Sequence, residues 1–132
     1  MNARLDRVRA LPLHRDLGVQ RITSDGGSAT LHFTVTDYTV NPAGALHGGV
    51  LYTLCDVCAY AALLGVIDDT QEAVTHDLHV SVMSAARLGD EVVVSASVVK
   101  RGRSVCFLDV VARVGDRVIA TARVTKSLIA TD

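Results

Sequence analysis

Apolar residues are spaced in two ways along the chain, and the change of spacing marks out its elements. Leu31, Phe33 and Val35 alternate with Thr30, His32 and Thr34, and the same period of two runs through Val92, Val94, Ala96 and Val98 and through Val118, Ala120, Ala122 and Val124. Alternation of this kind belongs to strands with one face buried. It predicts six of them, over 17–23, 29–36, 73–83, 91–100, 104–114 and 117–128, with turns at Asp25-Gly26-Gly27, Leu88-Gly89-Asp90, Arg101-Gly102-Arg103 and Gly115-Asp116. Such short turns predict that consecutive strands are antiparallel neighbours.

Between the second and third runs the alternation stops. Residues 50–67 are apolar except at Tyr52, Thr53, Asp56, Tyr60 and Gly65, and Asp56 carries the only charge. That pattern predicts a long helix enclosed by other structure. A loop over 37–46, holding Pro42 and Gly44, delivers it. A shorter helix is predicted over 2–9, with Leu5 and Val8 inward and Pro12 ending it, where it would cover a sheet edge.

Two strands, one buried helix and four strands make an α+β layout. The apolar face of the sheet has only the long helix to cover it, so a strongly curved antiparallel sheet must wrap around that helix, an arrangement that is the hotdog fold. The chain has 132 residues, enough for a single domain over 1–132, and no internal repeat or linker interrupts it.

Charge narrows the function classes. With 20% charged residues and a formal net charge of −1, there is no electrostatic case for nucleic acid or for an anionic membrane. The start of the chain alternates Arg and Asp with Leu5 and Val8 and has no apolar core of a signal peptide, which makes the cytoplasm the expected compartment. Residues 46–67 are long enough to span a bilayer, but a central Asp56 and amphipathic strands on both sides fit a core helix better. The three cysteines, Cys55, Cys58 and Cys106, lie in apolar surroundings and read as buried reduced thiols, although Cys55 and Cys58 formally make a C-x-x-C. Of His76, Asp77 and His79 only the last two share a strand face, and two ligands do not make a metal site.

The chemistry is expected where the loop meets the helix. A helix N-terminus presents unpaired N–H groups and a partial positive charge, and here it carries His47-Gly48-Gly49. Two glycines let a substrate carbonyl approach the backbone, so an amide there can serve as one arm of an oxyanion hole, or the glycines only permit a tight turn. His47 is either an orienting residue of the loop or a general base, with the orienting role favoured. Asn41 either donates to a carbonyl or to water, or is an ordinary turn residue before Pro42. Asp56 needs a reason, since a carboxylate away from water costs several kcal/mol unless compensated. Either it is catalytic or it is held by donors such as Tyr52 or Thr75. Asp56 follows Gly49 by seven residues, on the same stripe as Tyr52, Thr53 and Tyr60, but about 10 Å further along the axis. One chain cannot readily set both on one carbon. Two antiparallel copies of the helix can, which points to a homodimer with composite sites.

The spacing Asn41-x-x-Gly44-x-x-His47-Gly48-Gly49-x6-Asp56, with Val74-Thr75-His76-Asp77-Leu78 and Met83-Ser84-Ala85-Ala86 after it, resembles the hotdog acyl-CoA thioesterases of the phenylacetate-pathway (PaaI-like) type over about 17–128. Ala85 stands where that family often has Pro. The resemblance implies hydrolysis of an acyl-CoA thioester to CoA and a free acid, with no cofactor beyond the coenzyme A of the substrate. It implies that Asn41, His47 and the backbone of Gly48 and Gly49 bind and polarise the thioester carbonyl. Asp56 of the partner chain would be nucleophile or general base, and Thr75 would position water. It also implies a tetramer, as a dimer of dimers. Arg87, Lys100, Arg101 and Arg103, at turns, are candidates for the CoA phosphates or are simply solvated charges. Two other readings stand beside this one. One is a non-catalytic acyl-CoA-binding module, against which the buried carboxylate argues. The other is a hotdog hydratase or dehydratase, whose His-Phe-Pro type of loop has no counterpart, since His32-Phe33-Thr34 sits inside a strand. Tyr52, Tyr60, Leu51 and Leu54 are candidates for the acyl pocket or for core and interface, and the acyl group itself is not read.

Overall fold

The computed structural model describes residues 2–131. Its elements are α1 (Ala3–Ala10), α2 (Pro12–Leu17), β1 (Val19–Asp25), β2 (Ser28–Thr34), a 3-10 turn (Asp37–Thr39), α3 (Gly48–Leu63), β3 (Gln71–Val82), β4 (Glu91–Arg101), β5 (Val105–Val114) and β6 (Arg117–Ala130). The strands form one antiparallel sheet in the order β1-β2-β4-β5-β6-β3, and it wraps around α3 as the hotdog layout requires. The alternating rows meet the helix: Leu31 and Phe33 of β2, Val92 and Val94 of β4, Leu108 and Val110 of β5 and Val124 of β6 are buried together with Leu54, Cys58 and Leu63 of α3.

The chain departs from the sequence expectation at three places. The turn at Leu88-Gly89-Asp90 does not join neighbours: β3 lies at the far edge of the sheet, paired with β6 from Gln71 opposite Ala130 to Val82 opposite Ala120, while β4 pairs with β2 and β5. The connection over 83–90 is long enough to carry the chain from one part of the sheet to another, so its glycine marked a bend and not a hairpin. The second departure is at the N-terminus. Asn2 caps α1 through its side chain, which accepts from the N–H groups of Arg4 and Leu5, and Leu5 and Val8 do turn inward. Pro12, however, opens a second helix at its first turn, where its missing N–H costs nothing, and β1 starts only after Gly18 takes a left-handed φ of 101°. The Arg9 guanidinium of α1 donates to the Ile22 carbonyl, which ties α1 to the edge strand β1.

The third departure concerns α3 itself. It ends at Leu63, where Ser24 Oγ donates to the Ala61 carbonyl at 2.5 Å. Gly65 then passes so close to the β1–β2 turn that a Cβ on it would stand 3.0 Å from the backbone nitrogens of Gly26 and Gly27. Nor is the helix covered on every side. Leu51, Leu54, Cys55, Cys58, Ala59 and Ala62 face the sheet, whereas Gly49 and Tyr52 are exposed and Thr53, Asp56 and Tyr60 half-buried. The open stripe is the one that carries the carboxylate.

Candidate functional site

The loop before α3 is held by its own polar groups. Asn41 Oδ1 accepts from the N–H groups of Ala43 (3.0 Å) and Ala45 (3.1 Å), which leaves the side-chain NH2 without an acceptor among the described residues. The loop is pinned to the rest of the molecule by the Leu46 N–H on the Ala86 carbonyl and the His47 N–H on the Thr39 carbonyl. His47 caps the helix, with Nδ1 accepting from the Gly49 N–H at 3.0 Å. That cap sets the two glycine amides apart. The Gly49 amide, expected to polarise a carbonyl, is already engaged by its own chain, whereas the Gly48 N–H donates to no group among the described residues. Gly49 must still lack a side chain, because a Cβ there would lie 3.3 Å from the His47 ring. A Cβ on Gly48 would meet nothing within 4 Å of the same chain. Asn41 and Gly48 share the lining of a cleft of about 430 Å3 with Leu46, Leu51, Met83 and Ile119.

The carboxylate is assembled differently, from three elements. Asp56 Oδ1 accepts from Thr75 Oγ1 of β3 at 2.5 Å and from Lys126 Nζ of β6 at 2.9 Å. Lys126 Nζ also donates to Thr75 Oγ1 at 2.8 Å, closing a triangle. Thr75 and Lys126 face each other in the β3–β6 register. Lys126 is 2% exposed, and its ammonium lies 5.6 Å from the centroid of the Tyr60 ring. These groups line a second cleft, of about 440 Å3, together with Arg7, His14 and Glu72. Tyr60 Oη donates to Glu72 Oε1 at 2.7 Å. Burial first, and then this bond, push the Tyr60 hydroxyl up to about 12. The Glu72 carboxyl sits below its ordinary value, because burial, which raises it, is outweighed by the donors Tyr60 and Ala73 and by Arg4 and Arg7.

Lys126 was absent from the sequence reading, although the signal was present. It continues the buried row of Ala120, Ala122 and Val124 on β6, so its place in the alternation sets a lysine on the inner face. Arg4 of α1 is also buried, at 8% exposed, and its guanidinium donates to the Asp68 and Gln71 carbonyls.

The four basic candidates are not brought to one place. Arg87 Nη1 donates to the Ala43 carbonyl at 3.3 Å, beside the N-terminus of α3. Arg101 bonds Gln71 Oε1 at the start of β3, past the opposite end of the helix, and Lys100 and Arg103 are exposed on the same β4–β5 hairpin. All three cysteines are free and buried. Burial, with the neighbouring Asp56 charge for Cys55 and with Cys55 for Cys58, pushes both thiols to about 12, which disfavours a thiolate role for the C-x-x-C. Among the described residues no group of three or more His, Cys, Asp or Glu is placed to hold a metal ion, and no helix is long and apolar enough to cross a membrane.

Comparison with known proteins now bears on this geometry. Over residues 43–113 the chain matches the sequence model of the thioesterase superfamily. It is 31% identical over 124 residues to acyl-coenzyme A thioesterase 13 of Homo sapiens, covering 92% of this chain and 88% of that one. A thioesterase family protein of Silicibacter pomeroyi superposes with a TM-score of 0.87 at 26% identity, covering 96% of each chain. A thioesterase protein of Streptococcus pneumoniae in complex with coenzyme A superposes with a TM-score of 0.78 at 24% identity, covering 84% of this chain and 86% of that one. The chain belongs to the thioesterase superfamily, which bears out the resemblance to the hotdog acyl-CoA thioesterases drawn from its motif.

Proposed function

We propose that this protein is a homodimeric acyl-CoA thioesterase in which the amide end of one α3 and the Asp56 of the other complete each active site. The observation that carries this reading is the separation of the two clefts. Asn41 and Gly48 line one, Asp56, Thr75 and Lys126 line the other, and the two share no residue. Gly48 and Asp56 stand eight residues apart on one helix, about 12 Å along the axis, which is too far for both to act on one carbonyl. A two-fold axis running α3 against a second α3 brings unlike ends together. Two further features support it. β3 is a terminal strand of twelve residues whose outer edge has no partner strand among the described residues, and Val74, Val82 and Met83 are exposed along it and just beyond. A long unpaired edge with apolar residues is a ready template for a second copy.

In this reading the Gly48 N–H and the Asn41 side-chain NH2 polarise the thioester carbonyl, and His47 shapes the helix end by capping Gly49. Asp56 then either attacks the carbonyl carbon, expelling the CoA thiolate and leaving a mixed anhydride that water hydrolyses, or takes a proton from a water that attacks that carbon and expels the thiolate. In both routes the C–S bond breaks, the thiolate leaves as protonated CoA and the acyl group leaves as the free acid. Thr75 holds the carboxylate and, through it, the water. No cofactor is needed beyond the coenzyme A of the substrate. Arg87 of one chain and Arg101, Lys100 and Arg103 of the other are the candidates for its phosphates. Two such dimers would make the tetramer that the family likeness implies. The sealed thiols are in keeping with a cytoplasmic enzyme.

The test is thiol release from a panel of acyl-CoAs. Asp56→Asn is expected to lower kcat by about 10²- to 10⁴-fold. Equal rates from the variant and the parent would remove Asp56 from this role, and no release by either would favour a binding module. The composite nature is read by mixing Asp56→Asn subunits with inactive Gly48→Val subunits. Random reassociation restores one intact site in each mixed dimer, or about a quarter of the parent activity. A mixture as inactive as its components would place both groups in one chain.

A further inference from the structure

A buried lysine is the least explained group in the molecule. Lys126 is 2% exposed, and an ammonium so far from water is costly unless a counter-charge and full hydrogen bonding offset its desolvation. Both are supplied by the site: Nζ reaches Asp56 Oδ1 at 2.9 Å and Thr75 Oγ1 at 2.8 Å, with the Tyr60 ring on another side at 5.6 Å. The arrangement is one-sided in a way that matters for chemistry. Thr75 Oγ1 and Lys126 Nζ both address Oδ1, whereas Oδ2 receives no hydrogen bond among the described residues.

The backbone fixes this asymmetry. Lys126 and Thr75 are register partners on β6 and β3, so their side chains leave the sheet side by side. An unbroken ladder from Gln71 to Thr75 sets the pair, and the register slips just beyond it, between Thr75 and Asp77, leaving His76 as the extra residue. Asp56 comes down on the pair from α3. Two donors on one oxygen hold a carboxylate against rotation about its Cβ–Cγ bond far better than one does.

We propose that Lys126 is a positioning residue of the hydrolytic site. With Thr75 it clamps Oδ1, so that Asp56 presents Oδ2 alone to the reacting carbon or to water. This rests on the reading of Asp56 as the reacting carboxylate, and it is indifferent to which of the two roles Asp56 plays, since attack and proton abstraction both use the unclamped oxygen. Lys126 itself touches no reacting atom.

The experiment is a variant series on the intact protein: Lys126→Met, Lys126→Arg, Asp56→Asn and the double variant Lys126→Met/Asp56→Asn. Each is assayed for kcat and KM on one accepted acyl-CoA, with the folded state followed by thermal melting. Lys126→Met is expected to lower kcat about 10- to 100-fold, the worth of a hydrogen bond to a charged group, with KM held within about threefold. Lys126→Arg should recover part of the loss, and Lys126→Met should add nothing in the Asp56→Asn background. Unchanged kcat in a folded Lys126→Met, or losses that simply add in the double variant, would overturn the proposal. If Lys126→Met does not fold, Lys126→Leu, which also removes the donor, takes its place with the same two criteria. A fully active Asp56→Asn would sink the underlying reading. An inactive Asp56→Asn beside a fully active Lys126→Met would sink only this one.

Discussion

The two halves of the proposed site are built by opposite strategies. The amide half is mostly local: within residues 41–49 Asn41 bonds Ala43 and Ala45 and His47 bonds Gly49, and backbone bonds to Ala86 and Thr39 anchor the loop. The carboxylate half is assembled from α3, β3 and β6, and Lys126 lies 70 residues from Asp56 in the chain. A local half survives as long as its loop does. A non-local half exists only when the whole sheet has closed in register. The cleft-facing groups of the amide half can therefore be altered with little loosening of the fold, whereas alterations of the carboxylate half are felt in both activity and packing.

Asn41→Asp tests this contrast most strongly. Asp retains the oxygen that accepts from Ala43 and Ala45, and in place of the NH2 donor it puts a second oxygen of a charged carboxylate in the cleft lining, which can only deepen the loss. Removal of one donor to a developing oxyanion costs about 10²- to 10³-fold in kcat. A loss of that size with an unchanged melting temperature is expected, and a parallel fall in both would mean that the loop is not self-sufficient. Thr75→Ala comes next. It deletes one of the two donors on Asp56 Oδ1 and leaves Lys126 with one acceptor fewer, so kcat should fall by about tenfold or more while melting also drops. Steady-state assays beside thermal melts of the same preparations read both effects. Loss of activity with no loss of stability would show that the carboxylate half is as independent as the amide half.

The same contrast explains what could be read from the chain before folding. The hotdog layout followed from the period of two in the strands and its interruption at α3, and the amide half followed from a contiguous motif. Asp56 was legible because a charge stands out in an apolar helix. The cradle that receives Asp56 was only half legible. Thr75 was a candidate donor, but Lys126 needed the pairing of β6 with β3, and the short turns suggested that β3 would neighbour β4 instead. Its inward phase on β6 was visible, but a lysine near a strand end is ordinarily solvated. That the cap engages the Gly49 amide and not the Gly48 amide was also out of reach, since it depends on the orientation of the His47 ring.

That ring gives a smaller, paired effect. Gly49→Ala drives a methyl to 3.3 Å from the imidazole and should cost the cap, about 1 kcal/mol, seen as a lower melting temperature with a modest loss of activity. Gly48→Ala meets nothing in its own chain, so its melting temperature should hold while the methyl crowds the approaching carbonyl and turnover falls. Equal melting behaviour of the two variants would argue against the cap.

The smallest effect at neutral pH lies on the other face of the same helix. Cys55 and Asp56 are adjacent in sequence but point about 100° apart, the first into the sheet at 1% exposure and the second into the open cleft. Burial raises the Cys55 and Cys58 thiols from 9.0 to about 12, so each holds its proton more tightly in the folded chain than in the unfolded one. A group raised in this way contributes its full stability below the unfolded value, here below about pH 9, and loses it as pH climbs toward 12. Tyr60, raised to about 12, acts in the same direction over the upper part of that range. The expected outcome is no alkylation of the native protein by iodoacetamide at pH 8, and a denaturant midpoint that is flat near neutrality and falls above pH 9. Cys58→Ala should flatten part of that alkaline slope, because it removes one of the titrating thiols. Rapid alkylation of Cys55 at pH 8 would mean that the sealed face opens as readily as the one carrying Asp56, and the division of α3 into a packing side and a reacting side would fail.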